Sequence, residues 1–207
     1  MDIGKTRKNY KSKNGIFNNN RSPFLFFKEW YKEAEKKVSE PNAFALSTSS
    51  KNKTSSRMML LKDFSNTFTF YTNTSSKKGR DILTNKAASM LFWWKELEQQ
   101  IRIEGTLSQL STYMVKKYFY SRPKDSQIAA LSSDQSSQLE SYNHLIEEFD
   151  TNKKKYSKKR VPFPKDWVGF ELKPQMIEFW QGGPNRLHQR IEYKKIKDIW
   201  EARILAP

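Results

Sequence analysis

From AFALSTS (Ala43–Ser49) to QIRIEGTLSQL (Gln100–Leu110) the chain is a succession of short apolar runs, with RMMLLK (Arg57–Lys62), TFTFYT (Thr67–Thr72) and ASMLFWW (Ala88–Trp94) between them. Turn-forming residues separate the runs, which is the pattern of strands rather than of helices. The links are too short for parallel crossovers, so antiparallel pairing is expected. Five such strands in succession predict a barrel or a strongly curved sheet. SSKKGRDILTN (Ser75–Asn85) interrupts them as a short helix with serine at its start, where free amide groups favour an anion.

Upstream, Ser22 and Pro23 read as a helix cap and first helical position, followed by Phe24, Phe27, Trp30 or Tyr31, Ala34 and Val38 at helical spacing, with Glu40-Pro41 as the stop. Residues 1–21 are rich in Lys, Asn and Ser and read as a basic, flexible arm, with residues 22–207 as one domain. Downstream, helical segments are expected around Thr112–Ser121 and Gln138–Phe149. WVGFELK, MIEFW, RLHQRIEY and IWEARI then return to strand character. The order predicts an α+β fold, an antiparallel β-barrel of Greek-key type with peripheral helices.

The 207 residues contain no cysteine, which excludes disulfides, thiolate catalysis and cysteine-bound metal. Only His144 and His188 are histidines, too far apart in sequence to suggest a metal site, and no metal is expected. No apolar run approaches the length of a bilayer span, and no secretory leader is evident, so a cytoplasmic location is expected. There is no P-loop, no GxGxxG and no GxSxG elbow. The net charge of +16 favours anionic partners, either phosphorylated small molecules or nucleic acid. Much of it sits in Lys5–Arg21 and in KKKYSKKR (Lys153–Arg160), blocks that equally suit a solvated surface.

Three constellations could carry chemistry. In RMMLLK, Arg57 and Lys62 would fall on opposite faces of one strand, serving two anions or simply reaching solvent. In YFYSRPKDS, Tyr118 and Arg122 are a helical turn apart, Pro123 ends the helix and Ser126 would cap the next. Phenol, guanidinium and hydroxyl together make a phosphate cradle, although an ordinary helix end has the same composition. In NRLHQRIEY, read as a strand, Arg186, His188 and Arg190 would share one face, with the histidine held neutral between two cations and an anionic or electron-rich ligand opposite.

RMMLLK, FYTNTSSKKG, LEQQIRIEG, YFYSRPKDSQIA, DQSS, IEFWQGGPNRLHQR and RILAP, in this order from Arg57 to Pro207, closely resemble the pyridoxamine 5′-phosphate oxidase family, with weaker likeness through SPFLFFKEWYKEA and RKNY. The resemblance implies an FMN-binding split barrel whose FMN sites lie at the interface of a homodimer. It implies oxidation of pyridoxamine or pyridoxine 5′-phosphate by dioxygen to pyridoxal 5′-phosphate, with release of hydrogen peroxide. The implied flavin site comprises Arg57, Met58, Met59, Leu60, Leu61 and Lys62, with Tyr71, Thr72, Ser76, Lys77 and Lys78, and further on Gln100, Gln135, Ser136, Trp180 and Arg190. Within it Arg57 and Lys78 fall to the FMN phosphate, and Gln100 and Arg190 to the ring. The implied substrate site comprises Lys62, Tyr118, Arg122, Ser126, Arg186, Leu187 and His188, with Arg7, Lys8, Asn9 and Tyr10 from the arm. Arg186 and His188 are the implied catalytic pair, positioning the substrate and assisting proton movement.

The chain departs from the family pattern at Lys77 (more often Arg), Gln189 (Asp) and Leu131 (Trp). Lysine keeps the charge at residue 77 and loses the bidentate fork. Two other readings compete: a split-barrel flavoprotein with another substrate, and a basic nucleic-acid-binding module, which no recognisable motif supports. The complete set Lys62, Tyr118, Arg122, Ser126, Arg186 and His188 favours the oxidase.

Overall fold

The computed structural model of the protein describes residues 9–10 and 21–207. The expected arm, residues 1–21, falls almost wholly outside the described residues, as do Arg7 and Lys8 of the implied substrate site. The described chain runs α1 (Pro23–Lys37), β1 (Ala43–Ser50), β2 (Lys53–Leu60), β3 (Asp63–Phe64), β4 (Phe68–Asn73), α2 (Lys77–Thr84), β5 (Ala87–Trp94) and β6 (Gln99–Gln109). It continues with α3 (Thr112–Ser121), α4 (Lys124–Ser132), α5 (Tyr142–Lys155), β7 (Trp167–Gln181), β8 (Gln189–Ile196) and β9 (Ile199–Leu205).

All pairings are antiparallel, in the order β2-β1-β5-β6-β7-β4-β3, with β8 and β9 joined to β7. The sheet curls into a half-barrel, the curved sheet expected from the short strand runs and the split-barrel fold implied by the family resemblance. The split originates in β7. WVGFELK and MIEFW, expected as two strands, are one continuous element. Its first part pairs with β4 and its last part with β8, while β6 pairs with it from Phe170 to Gln181. Between these parts Pro174 lacks an amide hydrogen, and the pairing with β6 shifts register between Glu104 and Gly105. A Cβ on Gly105 would stand 2.2 Å from the Lys173 carbonyl oxygen, so only glycine admits this close approach.

Helix α1 closes the barrel. Its stripe of Phe26, Phe27, Trp30 and Ala34 is buried. Phe26 stacks on Phe179 at 4.2 Å and Phe27 meets Phe68 and Phe92 edge-on. Each such ring contributes about 1.5–3 kcal/mol of burial. A second cluster, Leu110, Val115, Phe119, Ile128, Val161 and Trp167, lies beneath α3 and α4 and fixes their position against β7.

Several boundaries differ from expectation. Helix α1 ends at Lys37, where Val38 turns extended, before Glu40-Pro41 is reached. Helix α5 begins at Tyr142 rather than Gln138, because Ser141 supplies the cap by accepting from the His144 amide. Ser126 does not cap α4: Pro123 holds that position and Ser126 sits inside the helix. Strand β2 starts at Lys53 and stops at Leu60, so Lys62 lies beyond it and the opposite-face relation to Arg57 does not apply. No helix among the described residues is long and apolar enough to cross a membrane.

Candidate active site

At one pole of the sheet, Arg57 on β2 faces the first turn of α2. Its guanidinium donates to the Leu46 carbonyl (3.1 Å), Thr48 Oγ1 (2.8 Å) and Ser55 Oγ (2.7 Å), and Nη2 stands 3.8 Å from Asp81 Oδ2. Ser76 caps α2 by accepting from the Gly79 amide. Lys78 Nζ donates to Ser76 Oγ and to Gln135 Oε1 (2.9 Å), which also accepts from Thr72 Oγ1 (3.1 Å). Burial, and secondarily the Arg57 charge, lower Lys78 to about 8. Lys77 is partly exposed and ion-paired to Asp81 at 3.1 Å. A guanidinium, two ammonium groups and a helix N-terminus on one spot form a donor set suited to a phosphate.

Beside it opens a cleft of about 490 Å³, lined among others by Met58, Met59, Leu60, Lys62, Tyr118 and Arg122. Tyr71, Tyr118 and Trp167 form a parallel stack, with Tyr71 and Tyr118 4.0 Å apart. The Arg122 carbon Cζ lies 5.0 Å from the centre of the Trp167 ring. Its Nη1 is buried and has no hydrogen-bond partner among the described residues. Burial lowers the pKa of Arg122, and burial with the neighbouring Arg122 charge lowers that of Lys62. Burial and the adjacent Tyr118 push Tyr71 up to about 12. Leu61 belongs to the core rather than the cleft, and Ser126 is absent from the cleft lining. Ser136, with φ 73°, follows Gln135 in an exposed turn.

The remaining expected residues gather at the other end of β7. Gln100, Trp180 and Arg190 are register neighbours across β6, β7 and β8. Arg190 Nε donates to Glu178 at 2.9 Å, and the same buried carboxylate accepts from Arg102 at 2.7 Å. Burial pushes Glu178 upward, but these two cations outweigh it and hold the carboxyl below its ordinary value. His188 lies 4.7 Å from Trp180, and Tyr10 meets both rings edge-on at 5.6 Å. Gly182 leaves room for that tyrosine: a Cβ there would stand 2.8 Å from Tyr10 Cγ.

Arg186, His188 and Arg190 do not share a strand face. Pro184–Arg186 is a 3-10 turn with Asn185 and Arg186 at positive φ, and β8 begins only at Gln189. The turn leaves Arg186 and Leu187 exposed and bends His188 back, so that the Gly183 amide donates to its Nδ1 at 3.2 Å. The bond requires a lone pair on Nδ1, which places the proton of the neutral ring on Nε2. Burial and then the Arg186 charge lower the histidine pKa, in keeping with the neutral form.

The two poles are far apart within one chain. Tyr71 pairs with Gly169 and Arg190 with Trp180 on the same strand. Eleven residues of strand (180 − 169) correspond to roughly 36 Å of contour.

The family model described as "Pyridoxamine 5'-phosphate oxidase" matches residues 31–156, and that of the "Pyridoxine 5'-phosphate oxidase C-terminal dimerisation region" matches residues 167–207. The chain belongs to the pyridoxamine 5′-phosphate oxidase family. It is 43% identical over 212 residues to pyridoxine/pyridoxamine 5′-phosphate oxidase of Aliarcobacter butzleri, covering 100% of both chains. It is 42% identical over 217 residues to the chloroplastic pyridoxine/pyridoxamine 5′-phosphate oxidase 1 of Arabidopsis thaliana, covering all of this chain and 41% of that longer protein. Among solved structures it resembles PhzG from Burkholderia lata in complex with tetrahydrophenazine-1-carboxylic acid, with a TM-score of 0.86 and 29% identity over 90% of this chain and 93% of that one.

Three site residues escaped the sequence reading of this family member. Asp81 had a signal, its i,i+4 spacing from Lys77 on α2. Thr48 and Glu178 had none, because their partners Arg57, Arg102 and Arg190 come from other strands and register cannot be read locally.

Proposed function

We propose that the protein oxidises pyridoxamine and pyridoxine 5′-phosphates to pyridoxal 5′-phosphate with FMN as cofactor and dioxygen as electron acceptor. With the amine, one dioxygen and one water are consumed and ammonia and hydrogen peroxide are released; the alcohol needs no water. The observation that carries this reading is the pair of adjoining anion sites, Arg57 with Lys78 and Lys62 with Arg122. Two phosphorylated ligands, a cofactor and a substrate, account for both.

The Arg57 and Lys78 donors beside the α2 N-terminus that Ser76 caps fit a flavin phosphate, with Gln135 and Thr72 linking that site to the cleft. Bound there, FMN supplies two-electron oxidation of the substrate's exocyclic carbon and reoxidation by dioxygen. Lys62, Tyr118 and Arg122 would hold the substrate phosphate, giving the buried Arg122 Nη1 its missing partner. Arg186, a permanent cation, holds the substrate rather than taking its proton. With Nδ1 occupied by the Gly183 amide, His188 would offer its Nε2–H to the substrate.

Gln100, Trp180, His188 and Arg190 lie too far along β7 to close over the same ligand. We infer that they serve the cleft of a second copy, so that the FMN sites form at a homodimer interface, in keeping with the match of residues 167–207 to a dimerisation region. A cytoplasmic location belongs to the same proposal and is tested by fractionation. The catalytic test mixes the purified protein with FMN and pyridoxamine 5′-phosphate and follows pyridoxal 5′-phosphate and peroxide together. Both should appear in equal amounts; bound flavin without either product contradicts the proposal and favours a flavoprotein with another substrate.

A further inference from the structure

Asp81 is an acid inside a site built for an anion. Its side chain is almost fully enclosed, and it lies on the face of α2 turned toward β1. Thr48, 2% exposed, connects it to Arg57. A guanidinium can only donate, so Thr48 Oγ1 accepts from Arg57 Nη1 (2.8 Å) and must spend its single proton on Asp81 Oδ2 (2.9 Å). The same carboxylate oxygen accepts from Lys77 at 3.1 Å. The directions of these three bonds are therefore fixed, and Arg57 is held in one orientation before any ligand arrives.

The charge count agrees with this arrangement. Arg57, Lys77 and Lys78 carry three positive charges and Asp81 one negative, leaving a net +2 that matches a phosphate close to its dianion. Burial works against the charge on Asp81, but the Thr48 and Lys77 hydrogen bonds and the Lys77 and Arg57 charges keep it ionised.

We propose that Asp81 is a positioning residue, acting through Thr48 and Arg57, that sets the preference for a phosphorylated over an unphosphorylated flavin; this rests on the flavin site proposed above. Charge alone predicts the opposite sign. Neutralising Asp81 raises the local charge to +3, so an electrostatic bystander would bind phosphate more tightly when removed. A positioning residue binds it more weakly when removed.

Equilibrium titration of the full chain with FMN and with riboflavin separates these outcomes. Asp81→Asn should weaken FMN about tenfold, the order of one charge-assisted bond lost from alignment, and leave riboflavin within about twofold. Thr48→Val, which changes no charge, should shift the FMN-to-riboflavin ratio in the same direction, and Asp81→Glu should recover part of it. If Asp81→Asn does not fold, the Thr48→Val ratio decides. FMN binding that is unchanged or tighter in these variants, or FMN and riboflavin weakened by the same factor, overturns the inference. A wild-type chain that binds riboflavin as tightly as FMN contradicts the flavin-site reading itself.

Discussion

The two proposed anion sites lie side by side, yet they are built in opposite ways. Arg57 is anchored by protein partners, with three of its five N–H groups hydrogen-bonded and an acid close by. Arg122 is packed against Trp167 with a buried Nη1 that nothing among the described residues satisfies. A preorganised site binds its ligand without rearrangement and suits a cofactor that stays. A site holding an unsatisfied, desolvated cation loses that cost only when its anion is present, and suits a substrate that comes and goes.

The comparison breaks most visibly at Arg122. Arg122→Ala should lower kcat/KM for pyridoxamine 5′-phosphate about 1000-fold while FMN affinity stays within twofold, since a desolvated charge contact to phosphate is worth several kcal/mol. Steady-state kinetics alongside flavin titration would show both numbers. At the anchored site the loss should fall on the cofactor instead: Arg57→Ala should weaken FMN about 100-fold and spare riboflavin.

Lys78 sharpens the contrast through pH. Its folded pKa of about 8 lies below the ordinary lysine value of 10.5. The ammonium is needed for phosphate, so FMN affinity should fall as pH rises through about 8, approaching tenfold per unit above it, and Lys78→Met should flatten the profile. The effect on stability of the flavin-free chain has the opposite sign. Between about 8 and 10 the unfolded state binds more protons than the folded state, so this group's contribution to stability rises with pH. The smallest effect is expected at Lys77. Its ammonium is already committed to Asp81 and half exposed, so Lys77→Arg should change FMN affinity by less than about threefold.

Much of this was readable from residues alone, and the failures have two causes. Period-two runs located most of β1, β2 and β4–β6, and the serine at its start marked α2, because those signals are local. The expectation for Arg186 and His188 failed because alternation was carried through Pro184, where the backbone enters a turn with positive φ at Asn185 and Arg186. Lys62 slipped off its strand for a similar reason: β2 ends at Leu60, and the Lys62 amide donates instead to the Thr69 carbonyl. The continuity of β7 and the roles of Thr48 and Glu178 depend on which strands become neighbours. The long sequence separations between Thr72 and Gln135 and between Arg102 and Glu178 put those contacts beyond any local pattern.

The separation of the two poles along β7 gives the account its most exposed claim, that one working site takes residues from two chains. Mixing Arg122→Ala and Arg190→Ala proteins, each nearly inactive, after dissociation and reassembly tests it directly. In a two-fold dimer the mixed species carries one doubly altered site and one intact site, so activity should recover to about a quarter of wild type at random pairing. A mixture that stays as inactive as its parents, with mixed dimers demonstrably formed, would place the whole site within one chain and contradict the account.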